Sequence, residues 1–479
     1  MSVEPRRRAI QLSLVVAVLA PRLVAFFVNE NLAGDAIART WLAHRWLEAP
    51  HLMTTFSDGS KQFGPLHLYL LALAEFLWPS LLHAGRVLSL LAGALTAWPL
   101  YAFTARRFGA SAATFAVLGF AFWGLHIQCS TTSASEALNL LLVMGAVALF
   151  DLERWVAAAL LLNLACATRF DSWLLVPLLA AAEGFRRQSV LAAVRFGALA
   201  SLFAIAWLVG NQLGEGDAMF PLRYIDQFHR AWWPSEASVW GEWTYRLVCL
   251  FFWPGAAVLM LTPLFAIAGV SGLRKAWVER AGLRWLVLLI LLSIGLYTFR
   301  SVVMASFAPL ARFTMKELLL LLPFAGWALA AMRPRVAWGA VAFAAVWCVA
   351  LAAYCFTPDS RWSFTLRSVA ATSRLEPALR VTTEWLQQHP GGLLVVDEDP
   401  RSFDDLPLSY FSGRPFDEQL RRRYERYDEA LGTAIPRWLV LFDGGRLEVT
   451  PLDAEHVAYR GHRFELRHSA RVRVFERVE

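Results

Sequence analysis

The chain has 479 residues, of which 57% are hydrophobic and only 17% charged, with a mean hydropathy of +0.45. Soluble proteins carry about a quarter charged residues, so this composition excludes an ordinary soluble globular protein. The net charge is +7, but the basic residues lie in short loops between apolar runs. That placement favours membrane orientation over nucleic-acid binding. The five cysteines show neither metal-ligand spacing nor a disulfide framework.

Apolar runs long enough to cross a bilayer, which takes about 20 residues, recur from the N-terminus to residue 356. We predict eleven spans, near 9–28, 81–105, 110–128, 137–152, 155–168, 171–184, 190–212, 246–270, 284–303, 317–332 and 336–356. The arginine-rich loops then all fall on one side, which the positive-inside rule makes the cytoplasm. The longer loops 29–80, 213–245 and 304–316 would therefore face the periplasm.

The first of these loops contains two amphipathic stretches. The sequence AIARTWLAHRWL directly follows Asp35 and predicts a helix lying at the membrane surface. The sequence GPLHLYLLALAEFLW (64–78) resembles a span, but counting it as one would place every later loop on the wrong side for its charge. We therefore predict a second interfacial helix, anchored by Trp78.

After Phe356 the sequence becomes charged and lacks a spanning run. Three segments predict strands: GGLLVVDEDP (391–400), RWLVLFDGG (437–445) and RVRVFERV (471–478). Two segments predict helices: EPALRVTTEWLQQH (376–389) and DEQLRRRYERYDEAL (417–431). Residues 360–479 are therefore predicted to form a small α/β domain, separate from a membrane domain of residues 1–356. An odd number of spans would place the α/β domain in the periplasm.

Ionisable residues collect near the predicted outer ends of the spans. They are Asp35, Asp58, Lys61, Arg86, Glu136, Arg169, Asp171, Asp226, His229, Arg230, Arg300, Arg312 and Lys316. Charges at membrane depth are costly, and they pair with one another or line a polar cavity. Guanidinium groups match phosphate geometry, and carboxylates accept a hydroxyl proton. The pattern indicates a site for an anionic lipid and a hydroxylated partner.

Several of these residues also have a purely structural interpretation. Asp35 precedes a predicted helix and is a preferred cap residue. Ser133 to Glu136 fit the S-x-x-E capping box. Arg86 and Arg300 could extend to lipid headgroups.

Two further residues have equally simple alternatives. Asp171 could serve only to neutralise the neighbouring Arg169. His229, in DQFHRAWWP, is more often an interfacial histidine than a metal ligand, because no second histidine or cysteine stands at metal-ligand spacing. The sequence by itself leaves both alternatives open.

An ordered set of motifs carries a family resemblance. An acid shortly after the first span is followed by GPLHLYLLAL, AGRVLSLLAGALTAWPLYAFTARRFG, STTSASEALNLLL, LACATRFDSWLLVP and ARFTMKELLLLLP. This order resembles the GT-C glycosyltransferases, in particular the branch of the protein O-mannosyltransferases and aminoarabinose transferases. The resemblance covers residues 1–185 and touches 311–325. It implies a multi-pass GT-C fold.

The resemblance also implies roles for individual residues. Asp35 falls on the first-loop acid of the family, its presumed base, and Glu136 on the acid of the second outer loop. Arg86 falls on the arginine that opens the next span. Arg312 falls on an arginine thought to face the donor phosphate. Pro65-Leu66 match the PPL motif.

The sequence departs from the family pattern at two places. The family has an Asp-Glu pair where this chain has Gly34-Asp35. The family often has a lysine directly before two prolines, whereas Phe63-Gly64 stand there in this chain and Lys61 lies four residues ahead of Pro65. These differences bear on the choice of substrate and on metal use.

The function implied is transfer of a sugar from a polyprenyl-phosphate donor to a hydroxyl of a lipid, glycan or protein acceptor. Asp35 is the expected base, with Glu136 and Asp58 as further catalytic candidates. The expected phosphate ligands are Arg312, Arg86, Lys316 and Arg169. Further substrate contacts are expected from Lys61, His67, Tyr69, Asp171 and His229. No cofactor is required because cations are abundant, although a divalent metal could be held by Asp35, Asp58 and Glu136.

Two other classes of protein compete with this interpretation. A flippase for a lipid-linked sugar would have broken helices, repeat symmetry and ionisable residues near the bilayer midplane. A membrane-anchored binding protein would not need eleven spans or buried charges. Because the charges gather at one face, an enzyme of the bacterial inner membrane is favoured, with no nucleic-acid partner.

Overall fold

The computed structural model describes residues 3–32, 35–354, 374–399, 404–422 and 427–478. The chain divides into two compact units, Met1–Ser373 and Arg374–Glu479, each with its own hydrophobic core. The predicted boundary between the two domains, near residues 356–360, and Cys355 lie outside the described residues. The other four cysteines are buried and carry free thiols.

The described part of the first unit is helical. Its first nine helices are α1 (Val3–Val28), α2 (Ala36–Glu48), α3 (Pro65–Leu77), α4 (Ala84–Leu95), α5 (Ala97–Phe108), α6 (Ala110–Ala121), α7 (Gly124–Ser130), α8 (Glu136–Asp151) and α9 (Trp155–Thr168). The next eight are α10 (Leu175–Arg187), α11 (Val190–Ala200), α12 (Leu202–Gly214), α13 (Phe220–Trp240), α14 (Glu242–Glu279), α15 (Arg284–Thr298), α16 (Met315–Ala330) and α17 (Pro334–Tyr354). Short π or 3-10 turns lie at Phe56–Ser60, Phe170–Leu174, Ala281–Leu283, Phe299–Val303 and Ala311–Thr314. The two amphipathic helices predicted in the first loop are α2 and α3.

Five helical stretches among the described residues are long and apolar enough to cross a membrane, and two bent helix pairs raise the number to seven. The five are Ala84–Phe108, Glu242–Glu279, Ala281–Val303, Ala311–Ala330 and Pro334–Ala353. The bent pairs are α6 with α7, at 67°, and α11 with α12, at 57°. The chain is therefore a multi-pass helical membrane protein.

Three of the predicted spans correspond to shorter helices. Helices α8, α9 and α10 have 16, 14 and 13 residues. At 1.5 Å per residue they are roughly 20–24 Å long, less than the hydrocarbon core of about 30 Å. The ends of these short helices carry two of the predicted site residues: Glu136 begins α8, and Arg169 follows α9.

A buried arginine stabilises the break between α6 and α7. Arg22 lies on α1, and its guanidinium donates to the Ala121 carbonyl at 3.4 Å and to the Phe120 carbonyl at 3.3 Å. Its Nη2 also lies 2.8 Å from Nδ1 of His126. Because a guanidinium can only donate, His126 accepts there and carries its proton on Nε2. Arg22 thus supplies donors to carbonyls that a helix break leaves without intrahelical partners.

Replacement of Arg22 by methionine is expected to destabilise the protein by several kcal/mol. The two carbonyls and His126 would lose a donor in a place without water, and each such loss costs about 1–3 kcal/mol. The melting temperature of the purified protein in detergent measures the effect. The exposed Arg335, replaced in the same way, is the control. Equal melting temperatures for the two variants would show that Arg22 does not hold the break.

Helix α16 lies at the centre of the helical unit. Every residue from Met315 to Gly326 is buried. Glycines allow its neighbours to approach closely: a Cβ at Gly272 would meet the Phe324 carbonyl oxygen at 2.1 Å, and a Cβ at Gly326 would meet the Ala112 carbonyl oxygen at 2.2 Å. Two predicted phosphate ligands lie at the other end of this helix: Lys316 in its first turn and Arg312 in the 3-10 turn before it.

The second unit is an α/β domain, as predicted, with a seven-stranded sheet in the order β2-β1-β3-β7-β6-β5-β4. Its strands are β1 (Leu394–Val396), β2 (Gln419–Arg421), β3 (Trp438–Leu441), β4 (Thr450–Pro451), β5 (His456–Tyr459), β6 (His462–Ser469) and β7 (Arg473–Arg477). Its helices are α18 (Pro377–Gln388), α19 (Asp405–Phe411) and α20 (Tyr427–Leu431), and a 3-10 turn lies at Phe416–Glu418. Strand β1 pairs in parallel with β2 and β3, placing Val395 opposite Leu420 and Leu439. The other pairs are antiparallel.

One predicted helix of this domain is wrong in its first part. The segment 417–431 is predicted as a single helix, but Gln419–Arg421 form strand β2 and only Tyr427–Leu431 are α-helical among its described residues. The three strand residues pair with β1, and Arg421 is buried. Pairing with a central strand therefore outweighs the helix propensity of a segment rich in arginine and glutamate.

Candidate active site

The site is built on the buried segment 131–135 between α7 and α8. Buried polar groups need hydrogen-bond partners, and the first loop supplies them. The Asn29 side chain donates to the Thr131 hydroxyl at 2.7 Å, and the Ser133 backbone N–H donates to Oδ1 of Asn31 at 2.6 Å. These bonds fix the chain after α1 against the segment that leads to Glu136.

Arg86 joins the same two segments. Its Nε donates to the Thr131 carbonyl at 2.7 Å, and its Nη2 donates to the Asn29 carbonyl at 2.7 Å and to the Phe26 carbonyl. The sequence predicts Arg86 as a phosphate ligand. The structure instead places its guanidinium on backbone carbonyls of two segments, which it holds together.

Arg169 connects two acidic residues. Its Nη1 donates to the carboxylate of Glu136 and, at 3.2 Å, to the Ser135 hydroxyl, while its Nε lies 3.0 Å from Oδ1 of Asp171. The side chains of Arg169 and Glu136 are only 10% and 8% exposed. Glu136 therefore forms a buried ion pair. Because α8 begins at Glu136, with no side-chain cap bond from Ser135, the capping box predicted for this helix does not form.

Lys316 extends this network to α16. Its ammonium group donates to the second carboxylate oxygen of Asp171 and lies 3.4 Å from the Tyr297 hydroxyl. Asp171 is thus held between Lys316 and Arg169. The carboxylates of Glu136 and Asp171 are both neutralised by buried cations, and a bound phosphate would have to compete with them for those cations.

Asp35 and Arg312 form the accessible edge of the cluster. Asp35 occupies the cap position of α2, but its side chain makes no cap hydrogen bond. Its Oδ2 lies 3.4 Å from Nη1 of Arg312, and the two side chains are 40% and 26% exposed. The sequence left open that Asp35 only caps α2, but its side chain does not cap the helix in this structure. Among the residues the structure describes, Asp35 is the cluster carboxylate that water and a substrate can reach most easily.

Arg39 is a site residue that the sequence analysis missed. It lies one turn after Asp35 on α2 and is 6% exposed, and its guanidinium carbon stacks 4.0 Å from the ring centroid of Phe63. Its Nη1 has no hydrogen-bond partner in the described part of the chain. Burial lowers the pKa of Arg39 to about 10, which leaves it protonated at neutral pH. The i, i+4 spacing from Asp35 was the available signal.

His67 lies within electrostatic range of Arg39, Glu136 and Arg169. It is fully buried, and neither ring nitrogen has a partner among the described residues. Burial, followed by the charge of Arg39, holds the pKa of His67 well below its usual range, so the ring is neutral. Gly64 explains the placement, because a Cβ there would meet the Ala167 carbonyl oxygen at 2.3 Å. Helix α3 therefore starts against the backbone that leads to Arg169.

Three predicted first-loop residues make local contacts instead. The Asp58 carboxylate accepts from the backbone and hydroxyl of Thr54 and from the backbone of Thr55. Burial by itself would raise the pKa of Asp58. These hydrogen bonds together outweigh that effect, so the pKa of Asp58 lies below its ordinary value. Lys61 ends this turn with a φ of 52°, and the Tyr69 hydroxyl accepts from the Met53 backbone at 2.6 Å.

His229 borders the cluster on another side. It is buried between aromatic rings, with ring centroids 4.3 Å from Phe307 and 5.6 Å from Phe313. Phe313 directly follows Arg312. Asp226 and Arg300, also singled out from the sequence, form an ion pair nearby. The structure thus places His229 among aromatic side chains, with no hydrogen-bond partner for its Nδ1 in the described residues.

The carboxylates of the cluster do not present a metal site in this arrangement. Across residues 3–32, 35–354 and the described C-terminal segments, no three His, Cys, Asp or Glu side chains lie close enough to hold a metal ion. Asp35 pairs with Arg312, Glu136 with Arg169, and Asp58 with its own turn. A divalent ion would have to displace Arg312, Arg169 and the hydrogen bonds that Asp58 accepts from Thr54 and Thr55, so the donor set fits an anion better than a metal.

No protein-family model matches the sequence, and no curated protein matches it. Solved structures do match. ArnT from Cupriavidus metallidurans in the apo state is 14% identical, with a TM-score of 0.65 over 99% of this chain and 98% of that chain. The same protein bound to undecaprenyl phosphate has a TM-score of 0.66 over 96% and 97%, again at 14% identity.

A third similar structure is the oligosaccharyltransferase of Archaeoglobus fulgidus in complex with Zn and sulfate. It is 15% identical, with a TM-score of 0.54 over 90% of this chain and 67% of that chain. At these identities the likeness concerns the fold alone. The resemblance to the GT-C glycosyltransferases expected from the sequence is confirmed at the level of the fold, which the chain shares with ArnT over nearly its whole length.

Proposed function

We propose that this protein is a membrane glycosyltransferase that transfers a sugar from a polyprenyl-phosphate donor to an acceptor hydroxyl. The observation that carries the proposal is the cluster around Asp35: an accessible carboxylate directly beside Arg312, backed by the buried cations Arg39, Arg169 and Lys316. A base next to cations is what attack on a sugar phosphate requires.

The donor class is supported by the structural likeness. ArnT, which matches nearly the whole chain, has been solved with undecaprenyl phosphate. A lipid phosphate of that kind would lie with its tail between apolar helices and its charge at the cluster. Arg312 offers the accessible guanidinium for this charge, and its buried Nε has no partner among the described residues.

The proposed reaction is a displacement at the anomeric carbon. The acceptor oxygen forms a bond to that carbon while the bond between the carbon and the phosphate oxygen breaks. The proton of the acceptor hydroxyl passes to the Asp35 carboxylate. The leaving polyprenyl phosphate gathers negative charge, which Arg312 stabilises. General base catalysis of this type contributes roughly 10²–10⁴-fold.

The number of membrane spans and their orientation are part of the same proposal. Eleven spans, including α1, the short α8, α9 and α10 and the bent pairs, would place the N-terminus in the cytoplasm and the site at the periplasmic face of a bacterial inner membrane. Residues 1–356 would form the catalytic membrane domain, and residues 360–479 a periplasmic α/β domain. The arginines of the short loops support this orientation. Nothing in the cluster favours the flippase alternative.

The direct test uses purified protein in nanodiscs with a polyprenyl-phosphate monosaccharide and a panel of lipid, glycan and peptide acceptors. Mass spectrometry is expected to show free polyprenyl phosphate and a glycosylated acceptor in matched amounts. Glu48→Gln, an exposed change on α2, should behave like the wild type. Movement of the lipid-linked sugar between leaflets of a liposome without its cleavage would contradict an enzyme and point to a flippase.

A further inference from the structure

Arg39 is an unusual cation in this site because, among the described residues, no carboxylate forms a salt bridge with it. The cluster cations Arg169 and Lys316 each contact a carboxylate, and Arg86 donates to three carbonyls. Arg39 is as deeply buried as these residues, yet its Nη1 has no hydrogen-bond partner in the part of the chain that the structure describes. A buried charge without a bonded partner costs free energy. A site that retains such a charge is suited to bind an anion.

The position of Arg39 favours the donor phosphate as that anion. Asp35 and Arg39 are one helical turn apart on α2, so their side chains emerge on the same face. Arg39 lies within electrostatic range of Arg312 as well as of Asp35. A phosphate between Arg39 and Arg312 would thus stand beside the base, where the anomeric carbon has to be.

His67 has the properties of a contact to an uncharged polar group. It is fully buried next to Arg39, and both ring nitrogens lack partners in the described residues. A neutral imidazole offers one N–H donor and one acceptor nitrogen, and a sugar hydroxyl can use both. Two buried ring nitrogens that never form a hydrogen bond cost free energy, and a bound sugar hydroxyl would remove that cost.

We propose that Arg39 and His67 form the subsite for the donor headgroup, with Arg39 binding a phosphate oxygen and His67 binding a hydroxyl of the transferred sugar. This inference rests on the proposed function. It assigns the phosphate to Arg39 and Arg312, the two cluster arginines that have a buried nitrogen without a hydrogen-bond partner among the described residues. Arg169 and Arg86 instead donate to groups of the protein.

The test measures binding of a short-chain polyprenyl phosphate to the full chain in nanodiscs of neutral phospholipid. Arg39→Gln is expected to weaken binding about tenfold to one hundredfold, the effect of losing a hydrogen bond from a charged group. Arg45→Gln, an exposed change on the same helix, is the matched control and should bind like the wild type. Phosphatidic acid should compete poorly. Equal dependence of phosphatidic acid binding on Arg39 would overturn the assignment to the donor.

A second measurement separates a binding role from a structural one. Without ligand, Arg39→Gln should melt at the wild-type temperature or above it, because the substitution removes a buried unpaired charge. A clear loss of melting temperature, or unchanged binding of polyprenyl phosphate, would overturn the role given to Arg39. Failure of the wild type to bind polyprenyl phosphate would instead overturn the proposed function, and this inference with it.

His67→Phe tests the sugar side of the subsite. The variant is expected to bind polyprenyl phosphate, which has no sugar, as well as the wild type does. Its affinity for the sugar-bearing donor should fall about tenfold, the effect of losing one or two hydrogen bonds. If both lipids lose affinity equally, or neither does, His67 does not contact the sugar.

Discussion

Asparagine in place of Asp35 is expected to remove most turnover, by about 10²–10⁴-fold, while leaving the melting temperature nearly unchanged. Asparagine has the same shape but accepts no proton, so general base catalysis is lost. Stability should be preserved because the Asp35 side chain makes no cap hydrogen bond on α2 and its contact with Arg312 is long and partly exposed. Initial rates of polyprenyl phosphate release measure the effect.

The same variant should bind polyprenyl phosphate at least as well as the wild type. Loss of the carboxylate removes the acidic partner of Arg312, so the guanidinium can bind phosphate without first leaving that carboxylate. This combination of intact binding and lost turnover separates a base from a residue that only shapes the site. Turnover within a few-fold of the wild type would reject Asp35 as the base and make Glu136 or Asp58 the candidate.

Methionine in place of Arg169 is expected to cost about 3–5 kcal/mol of stability, the effect of breaking a buried ion pair. Glu136 would lose its cation, and Asp171 would keep only Lys316. The midpoint of thermal or denaturant unfolding in detergent gives the size of the loss. Lys275→Met is the control, because its contact with Glu279 is exposed at both ends, and such pairs contribute about 0–1 kcal/mol.

A second substitution checks the cause of this loss. Adding Glu136→Gln to Arg169→Met removes the carboxylate that the first change leaves unpaired, and should restore part of the lost stability. Turnover should stay low, because the support beneath the site is not rebuilt. If the double variant is less stable than Arg169→Met by the full effect of Glu136→Gln alone, the two residues do not act as a pair.

Much of the architecture follows from the sequence. The apolar runs, the amphipathic helices α2 and α3, and three strands of the C-terminal sheet were predictable because each depends on the local periodicity of side chains. Asp35 could also be singled out from the sequence, because it follows the first hydrophobic run and falls on the first-loop acid of the family that the chain resembles. Its assignment as the catalytic base remains a prediction.

Tertiary structure decided what each charge does. Lys316 meets Asp171 across 145 residues of sequence, and Arg169 meets Glu136 across 33. Arg86 carries the same charge as these cations, but its position gives it carbonyls as partners, and Nη1 of Arg39 finds no hydrogen-bond partner among the described residues. An ion pair depends on the distance between side chains and on their exclusion from water. Neither the distance nor the exclusion from water can be read from the residues next to a charge in the sequence. Only the packing of the helices therefore shows which charges are paired within the protein and which remain available to a substrate.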